Sequence, residues 1–272
     1  MKSRWLRVEL QENSLAKKSV DAALPEWKIL VYALSKAEGP HRVKAALDCL
    51  REGIKTADYP HDFILWANSP DVWAASQFGW EGRRESVEGG ANVGQHVALT
   101  RILEIARAGS YDFIVRIDDD VEWKTKRWLS KLLRVEHAIK VYSGKWAVLA
   151  PRVLGLINPV ETVNIVMPDV VKGGDAKVYL GAAHTVGGVC RLHHISFFED
   201  YVPDCRRALG GGDATTIAAH AQTTHIPIFV AFAVSIGHHT LAKEKADPAT
   251  AALHGVLQRV PYIPIYMKEA GV

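Results

Sequence analysis

Apolar runs of strand length alternate with amphipathic helical patterns along the first half of the chain. Strand-like runs begin at Lys28 (KILVYAL) and at Phe63 (FILWA), and a third covers residues 111–117 (YDFIVRI). Helical periodicity fills the intervals at 41–54 and at 93–108. Strands that alternate with helices in this way predict an α/β domain with a mostly parallel central sheet flanked by helices.

The second half of the chain is richer in strands and glycine, which predicts a mixed, strand-rich region. The remaining predicted segments are a loop at 79–92, helices at 125–142 and 213–222, and strands or strand-rich stretches at 147–150, 161–167, 177–192 and 226–236. We expect a single domain over residues 1–272. Its first half covers 27–150, its second half covers 151–245, and a tail at 246–272 wraps the surface.

Composition and charge leave the class of partner open. The 33 basic and 30 acidic residues give a net charge of +3, which neither indicates nor excludes a nucleic acid. The longest apolar run, 226–237, is shorter than the roughly 20 residues of a membrane span, so we interpret it as a buried strand. Three widely spaced cysteines and an N-terminus without a signal-peptide core predict a cytoplasmic protein without a membrane span.

Three consecutive carboxylates follow the strand at 111–117. If the backbone stays extended, Asp118 and Asp120 project to one side and Asp119 to the other. Adjacent carboxylates repel each other, and a divalent cation such as Mg²⁺ or Mn²⁺ would compensate them. The alternative is a solvated acidic turn. Val121 and Trp123, which follow directly, favour the edge of a pocket.

The segment that ends in these carboxylates resembles a known family. ANVGQHVALTRILEIARAGSYDFIVRIDDDVEW is similar to the donor half of GT-A-fold glycosyltransferases, most of all to glycosyltransferase family 2. Asn92 and Gly94 match the start of the family's helix, and the carboxylates match its Asp-x-Asp motif. The resemblance implies that Asp118 and Asp119 contact a nucleotide-sugar donor, and that Asp120 binds Mn²⁺ or Mg²⁺ on the diphosphate.

The resemblance extends into the second half through GGGDATTIAAHAQTTHIPIFVAFAVSIGHH. It implies that Asp213 is the general base of an inverting enzyme and that His238 is a further metal ligand. Asp213 follows three glycines and precedes a helix, so it could equally serve as the helix N-cap. His238 and its neighbour His239 could simply be exposed imidazoles.

Four smaller polar or glycine positions are further candidates for donor binding. Asn68 ends the second predicted strand, where it could meet the nucleotide base or form a turn. Asn92 could hold the donor or cap the helix that follows. Gly187 and Gly188 could let the backbone approach the sugar, although a plain turn fits them equally well.

The implied function is metal-dependent transfer of a hexose or pentose from a nucleotide-sugar, with a UDP-sugar favoured, to a hydroxyl acceptor, with inversion. The segment LSKAEGPHR after the first strand lacks the polar pattern expected for binding the base. The Gln-x-x-Arg-Trp motif of processive members is absent, which disfavours a polysaccharide synthase.

A basic pattern beside the carboxylates suggests a second kind of partner. Lys124, Arg127, Lys131 and Arg134 have helical spacing and would form one stripe, which could contact the backbone of DNA or RNA. A solvated helix face is the alternative. The rival functions are therefore glycosylation of hydroxymethylated bases in DNA, nucleotidyl transfer, and non-catalytic binding of a nucleotide-sugar or a polyanion.

Overall fold

The computed structural model describes residues 23–77, 79, 83–86, 93–154, 160–202 and 213–238. Only the backbone is described at 83–86 and at Asp213. The predicted tail at 246–272, the end of the second half at 239–245 and Asn92 lie outside the described residues. The described residues all belong to the unit that ends at His238.

Ten strands and five α-helices make up the described part of the chain. The helices are α1 (Pro40–Thr56), α2 (Pro70–Ala75), α3 (Gly94–Ala108), α4 (Trp128–Ser143) and α5 (Asp213–Thr223), with a short 3₁₀ helix at Ile195–Phe198. The strands are β1 (Ile29–Ser35), β2 (Asp62–Ala67), β3 (Arg83–Ser86), β4 (Phe113–Asp118), β5 (Val121–Trp123), β6 (Val148–Leu154), β7 (Val163–Pro168), β8 (Lys177–Ala182), β9 (Cys190–His194) and β10 (Ile228–His238).

All ten strands belong to one sheet, and this sheet is mixed. Nine strands follow the order β3-β2-β1-β4-β9-β6-β10-β8-β7, and β5 pairs with β10. Four strand pairs are parallel (β1–β2, β1–β4, β2–β3, β6–β10) and the other five are antiparallel. The prediction of a mostly parallel sheet was therefore wrong, because β9 enters antiparallel between β4 and β6 and the β7–β8 hairpin adds to one side.

Helices cover both faces of the sheet. Successive residues of β1 point alternately into two apolar clusters, so the strand is buried on both sides. Helices α1 and α4 fill one cluster with Leu47 and Leu132, and α3 and α5 fill the other with Ile102 and Ile217. Of the helices that the structure describes, none is long and apolar enough to cross a membrane.

Three short elements were not predicted from the sequence. Helix α2 follows the second strand almost directly: Ser69 caps it by accepting a hydrogen bond from the Val72 amide, and Pro70 suits the first helical turn. Strand β3 lies in the segment predicted as a loop, and β5 follows the carboxylates directly.

The strand directions bring several carboxyl ends to one edge of the sheet. Strands β1, β2 and β4 are parallel. Strand β9 is antiparallel to both β4 and β6, so β6 runs in the same direction as β4, and β10 is parallel to β6. Ser35, Ala67, Asp118 and His238, the last residues of four of these strands, therefore lie along the same edge. In open α/β sheets this edge is where ligands bind.

Candidate metal and donor site

A two-residue turn between β4 and β5 places Asp120 beside the end of β10. Asp118 ends β4, residues 119–120 form the turn, and β5 then crosses to pair antiparallel with β10. Val121 is the register partner of His238. Asp120, one residue earlier, consequently meets the imidazole, with 3.4 Å between Asp120 Oδ2 and His238 Nε2.

Asp118, Asp120 and His238 together form a group that can hold a metal ion. One ligand atom from each of the three lies within 4.8 Å of the others. Two ligands on one ion with bonds of about 2.1 Å are at most about 4.2 Å apart, so small side-chain rotations suffice to share a cation. Two carboxylate oxygens suit Mg²⁺ or Mn²⁺, and the imidazole nitrogen favours the transition metal. The donor set fits the predicted Mn²⁺.

Arg116 fixes the orientation of the Asp118 carboxylate from behind. The guanidinium is buried within β4, two residues before Asp118, and its Nη2 donates to Asp118 Oδ1 at 2.8 Å. Its Nη1 donates to Gln95 Oε1 on α3 at 3.3 Å. The sequence analysis missed Arg116, although a basic residue inside an apolar strand is a signal, because buried arginines are almost always paired.

Asp119 is not part of this group. Its separation from Asp118 and Asp120 was expected from an extended backbone, but residues 119–120 form a turn. Asp119 Oδ2 accepts a hydrogen bond from Ser35 Oγ at 2.5 Å. Asp119 thus ties the end of β4 to the end of β1, and Ser35 is a second residue that sequence reasoning missed. A direct donor contact by Asp119 stays a prediction.

Asn68 lies at the same edge and has a clear role in the fold. Its backbone amide donates to the Ser35 carbonyl at 2.7 Å, and its Oδ1 accepts from the Trp66 indole at 2.9 Å. These contacts support the turn interpretation and keep the side chain beside β1. Contact with a nucleotide base stays a prediction.

Gly187 and Gly188 lie in the connection between β8 and β9, next to the acidic turn. The neighbouring Val189 carbonyl accepts a hydrogen bond from the Asp118 amide at 2.8 Å, so this segment borders the site. A Cβ added at Gly187 would meet just Val189 Cγ2, at 3.9 Å, among the described atoms. The described atoms therefore leave room in front of Gly187. Approach of the donor sugar to this segment stays a prediction, as does the alternative of a plain turn.

The structure describes only the backbone of Asp213, the predicted general base, and does not describe Asn92, a predicted donor-binding residue. Asp213 is the first residue of α5, which agrees with a position at a helix start, and its side chain lies outside the description. Asn92 lies outside it altogether. Val93 occupies the N-cap position of α3, and both roles considered for Asn92 stay predictions.

The basic stripe predicted for residues 124–134 does not form on one helix. Arg127 has a left-handed backbone with φ 57°, and α4 begins only at Trp128. Lys124 pairs with Glu122, and Arg127 pairs with Asp58 at 3.0 Å. Two of the four cations thus lie before the helix and are neutralised by carboxylates.

The remaining two predicted cations lie within α4. Arg134 forms an ion pair with Asp169, and Lys131 donates to the Lys126 carbonyl at 3.0 Å. The helix therefore carries half of the predicted stripe. A contact with a polyanion through all four residues stays a prediction.

Two cysteines beneath the site remain neutral thiols. Burial raises the pKa of Cys49, and the nearby charges of Asp119 and Asp120 raise it further. Burial likewise raises the pKa of Cys190, with a contribution from Asp118. Because the thiolate is the reactive form, neither residue is suited to nucleophilic catalysis.

Comparison with solved structures identifies the architecture. The structure of GalNAc-T7 with UDP, GalNAc and Mn²⁺ matches 78% of this chain and 44% of that chain, with a TM-score of 0.53 and 10% identity. This is the GT-A glycosyltransferase fold. The mannosyltransferase PcManGT from Pyrobaculum calidifontis, in complex with GDP-Man and Mn²⁺, matches 82% of this chain and 61% of that chain, with a TM-score of 0.47 and 12% identity.

A third matched structure is A197 from STIV, which matches 78% of this chain and 85% of that chain, with a TM-score of 0.41 and 16% identity. The chain spans less than half the length of the GalNAc-T7 chain that it matches. No protein-family model matches the sequence, and no curated protein matches it. The structural likeness shows the GT-A fold alone.

Proposed function

We propose that the protein is a divalent-cation-dependent glycosyltransferase that moves a sugar from a nucleoside diphosphate to a hydroxyl acceptor. One observation carries the proposal: Asp118, Asp120 and His238 converge within 4.8 Å at the carboxyl edge of a GT-A sheet. The residues come from two distant parts of the chain, so their convergence does not follow from a local acidic run.

Each residue of the site has a distinct task in this reaction. Asp120 and His238 hold the cation, and Asp118, oriented by Arg116, is close enough to complete the ligand set. A cation at this position would neutralise the charge that develops on the leaving diphosphate. The Gly187–Gly188 segment and Asn68 border the space for the donor.

Asp213 is the proposed general base. A carboxylate within hydrogen-bond reach of the acceptor hydroxyl can accept its proton as the oxygen attacks, which contributes roughly 10²- to 10⁴-fold. A single base on the side opposite the leaving group gives inversion at the anomeric carbon. The start of α5 supports this proposal by its place in the chain order, and an Asp213→Asn variant tests it directly.

The experiment is release of nucleoside diphosphate from a panel of nucleotide-sugars, with and without Mn²⁺. UDP-GalNAc and other UDP-sugars come first, because the matched GalNAc-T7 structure contains UDP, GalNAc and Mn²⁺. Wild type is compared with Asp120→Asn and with the control Glu122→Gln, an exposed carboxylate two residues away that pairs with Lys124. We expect metal-dependent hydrolysis in wild type and control, and a loss of at least about 10²-fold in Asp120→Asn.

Thermal stability in the presence of the same ligands separates an enzyme from a binding protein. A ligand at 100 times its Kd adds about 2.7 kcal/mol, which raises the Tm by about 5–10 °C for a domain of this size. Binding without turnover directs the search to acceptors, among which hydroxymethylated DNA tests the rival nucleic-acid function. Metal-independent turnover that Asp120→Asn leaves unchanged would refute the proposed site.

A further inference from the structure

A cleft of about 390 Å³ opens on the helix α4 side of the sheet, where β8 separates from β10. The two strands pair only from Leu180 to Ala182. The pairing of β10 with β8 ends at Ala231, and between Ala231 and Ser235 a bulge shifts the register of β10 against β6. Residues of α4 and of the turn after β7 form the floor and one wall, and none of the metal-site residues lines this cleft.

Four basic side chains line the cleft. Lys131 and Arg134 come from α4, Lys172 from the turn between β7 and β8, and Lys177 from the start of β8. Asp169 is the single acidic residue that lines it. The cleft thus concentrates four positive charges against one negative charge.

The carboxylate of Asp169 is already engaged. It pairs with Arg134, and its Oδ1 accepts hydrogen bonds from the backbone amides of Val171 and Lys172, at 3.1 Å each. Within the described part of the chain, Lys131, Lys172 and Lys177 form no ion pair with a carboxylate. Three lysines that line the cleft are thus without a carboxylate partner among the described residues.

The wall that carries Lys172 is held in place before any ligand arrives. The Gly173 amide donates to the Asp169 carbonyl at 2.9 Å, and the Asp169 amide donates to the Ala176 carbonyl at 2.8 Å. Gly173 and Gly174 have left-handed φ values of 65° and 56°, which close the turn. A preformed turn reduces the entropy lost on binding.

Aromatic surface lies beside these charges. Tyr179 lines the cleft with 56% of its surface exposed, and Phe232 lines it from β10. Lysines bind phosphate as point charges, and an exposed ring favours contact with an apolar or planar group. The volume is within the range of small-molecule sites. We propose that this cleft binds a small phosphate ester, with the phosphate among Lys131, Lys172 and Lys177 and the organic group against Tyr179.

This site is independent of the proposed transferase reaction, so it can be tested by binding alone. Phenyl phosphate, inorganic phosphate and benzyl alcohol are titrated by calorimetry without divalent cations, in an Asp120→Asn background that disables the metal site. The cleft variant is Lys172→Gln/Lys177→Gln, both exposed side chains. The control is Lys55→Gln/Lys126→Gln, which removes the same charge from exposed positions that do not line the cleft.

We expect phenyl phosphate to bind more tightly than phosphate, and benzyl alcohol to bind least. The cleft variant should weaken phenyl phosphate at least about tenfold, while the control stays within about twofold. Tyr179→Ser should weaken phenyl phosphate but leave inorganic phosphate unchanged. Equal affinities in the cleft variant and the control, or benzyl alcohol binding as well as phenyl phosphate, would overturn the proposal.

A short DNA duplex provides the remaining arm of the experiment. If the duplex binds through the same lysines more tightly than phenyl phosphate, with a steep salt dependence, the small-ester proposal fails and the cleft is a nucleic-acid contact. If the cleft variant does not change duplex binding, the duplex binds outside the cleft, and Lys124 and Arg127 are the next residues to change. The titration with phenyl phosphate then decides the small-ester proposal.

Discussion

Glu136 lies in the core and should make the stability of this protein fall as the pH rises. It is fully buried on α4, and its Oε1 accepts a hydrogen bond from the Ala147 amide at 2.6 Å. Burial raises the pKa of Glu136 from 4.5 to about 8, against the smaller opposing effects of that hydrogen bond and of Lys140. The folded protein therefore holds this carboxyl in its neutral form at pH 7.

The size of the effect follows from the two pKa values. Below pH 4.5 both the folded and the unfolded chain hold the proton. Between pH 4.5 and 8 the unfolded chain releases it and the folded chain retains it, so the free energy of unfolding falls as the pH rises. At 1.36 kcal/mol per pH unit, the loss between pH 5 and pH 8.5 is about 4 kcal/mol.

Glu136→Gln isolates this contribution. The amide keeps the length of the side chain and an oxygen that can accept from Ala147, but it does not titrate. We expect the free energy of unfolding of the variant, minus that of wild type, to increase by about 4 kcal/mol from pH 5 to pH 8.5. Urea unfolding at both pH values measures the difference, and subtracting wild type cancels the other titrating groups.

An exposed carboxylate provides the control for this experiment. Glu104 on α3 pairs with Arg101 at the surface, so Glu104→Gln should change the same difference by less than about 0.5 kcal/mol. A Glu136→Gln difference that is the same at pH 5 and pH 8.5 would show that the carboxyl is ionised in the folded protein, and the reasoning from burial would fail.

Three further changes test the packing and the electrostatics around the site. Arg116→Gln removes the buried partner of Asp118 and should lower stability by about 2–4 kcal/mol, with saturating Mn²⁺ raising the Tm of the variant more than that of wild type; equal Mn²⁺ effects on Tm would contradict this. Gly53→Ala would place a Cβ 2.6 Å from the Trp123 indole nitrogen and should cost about 1–3 kcal/mol, with a changed tryptophan emission spectrum; an unchanged Tm would show that the indole yields easily. Burial lowers the pKa of His194 from 6.5 to about 4. As the pH falls from 6.5 to 4, the unfolded chain gains a proton before the folded chain does, so the free energy of unfolding of wild type should fall by about 1–2 kcal/mol, and that of His194→Asn should not. Urea unfolding measures both pH profiles, and parallel profiles would refute the prediction.

The sequence predicted that Asp118 and Asp120 lie together and that Asp119 lies apart, on the condition that the backbone stays extended. The structure groups Asp118 with Asp120 and bonds Asp119 to Ser35. Residues 119–120 form a turn, however, so the grouping does not come from the strand geometry that was assumed. The resemblance to GT-A glycosyltransferases named His238, and the structure brings its imidazole to Asp120. The two carboxylates of the group were thus predicted from the residues themselves, and the histidine was predicted from the resemblance.

The contacts that hold this group together could not be predicted from the sequence. Strand β5 has three residues, too few for any periodicity to indicate it, yet its pairing with β10 brings Asp120 to His238. Ser35 and Arg116 act through partners 84 and 2 residues away along the chain, and their hydrogen-bonding roles depend on the tertiary fold.

The errors in the fold have a similar origin. A buried strand has the same apolar pattern whether its neighbours are parallel or antiparallel, so the sequence could not place β9 between β4 and β6. The start of α4 was predicted too early because the helical spacing of the cations continues through Arg127, where the backbone is left-handed.

The three-residue ladder between β5 and β10 also has a consequence for the order of folding. It joins residues more than 110 positions apart, from the middle of the chain to the last strand described. Contacts of such separation form late, because the loop between them must close first. Mn²⁺ binding would therefore appear only after β10 has docked, and a stopped-flow metal signal would report the final step in completing the sheet.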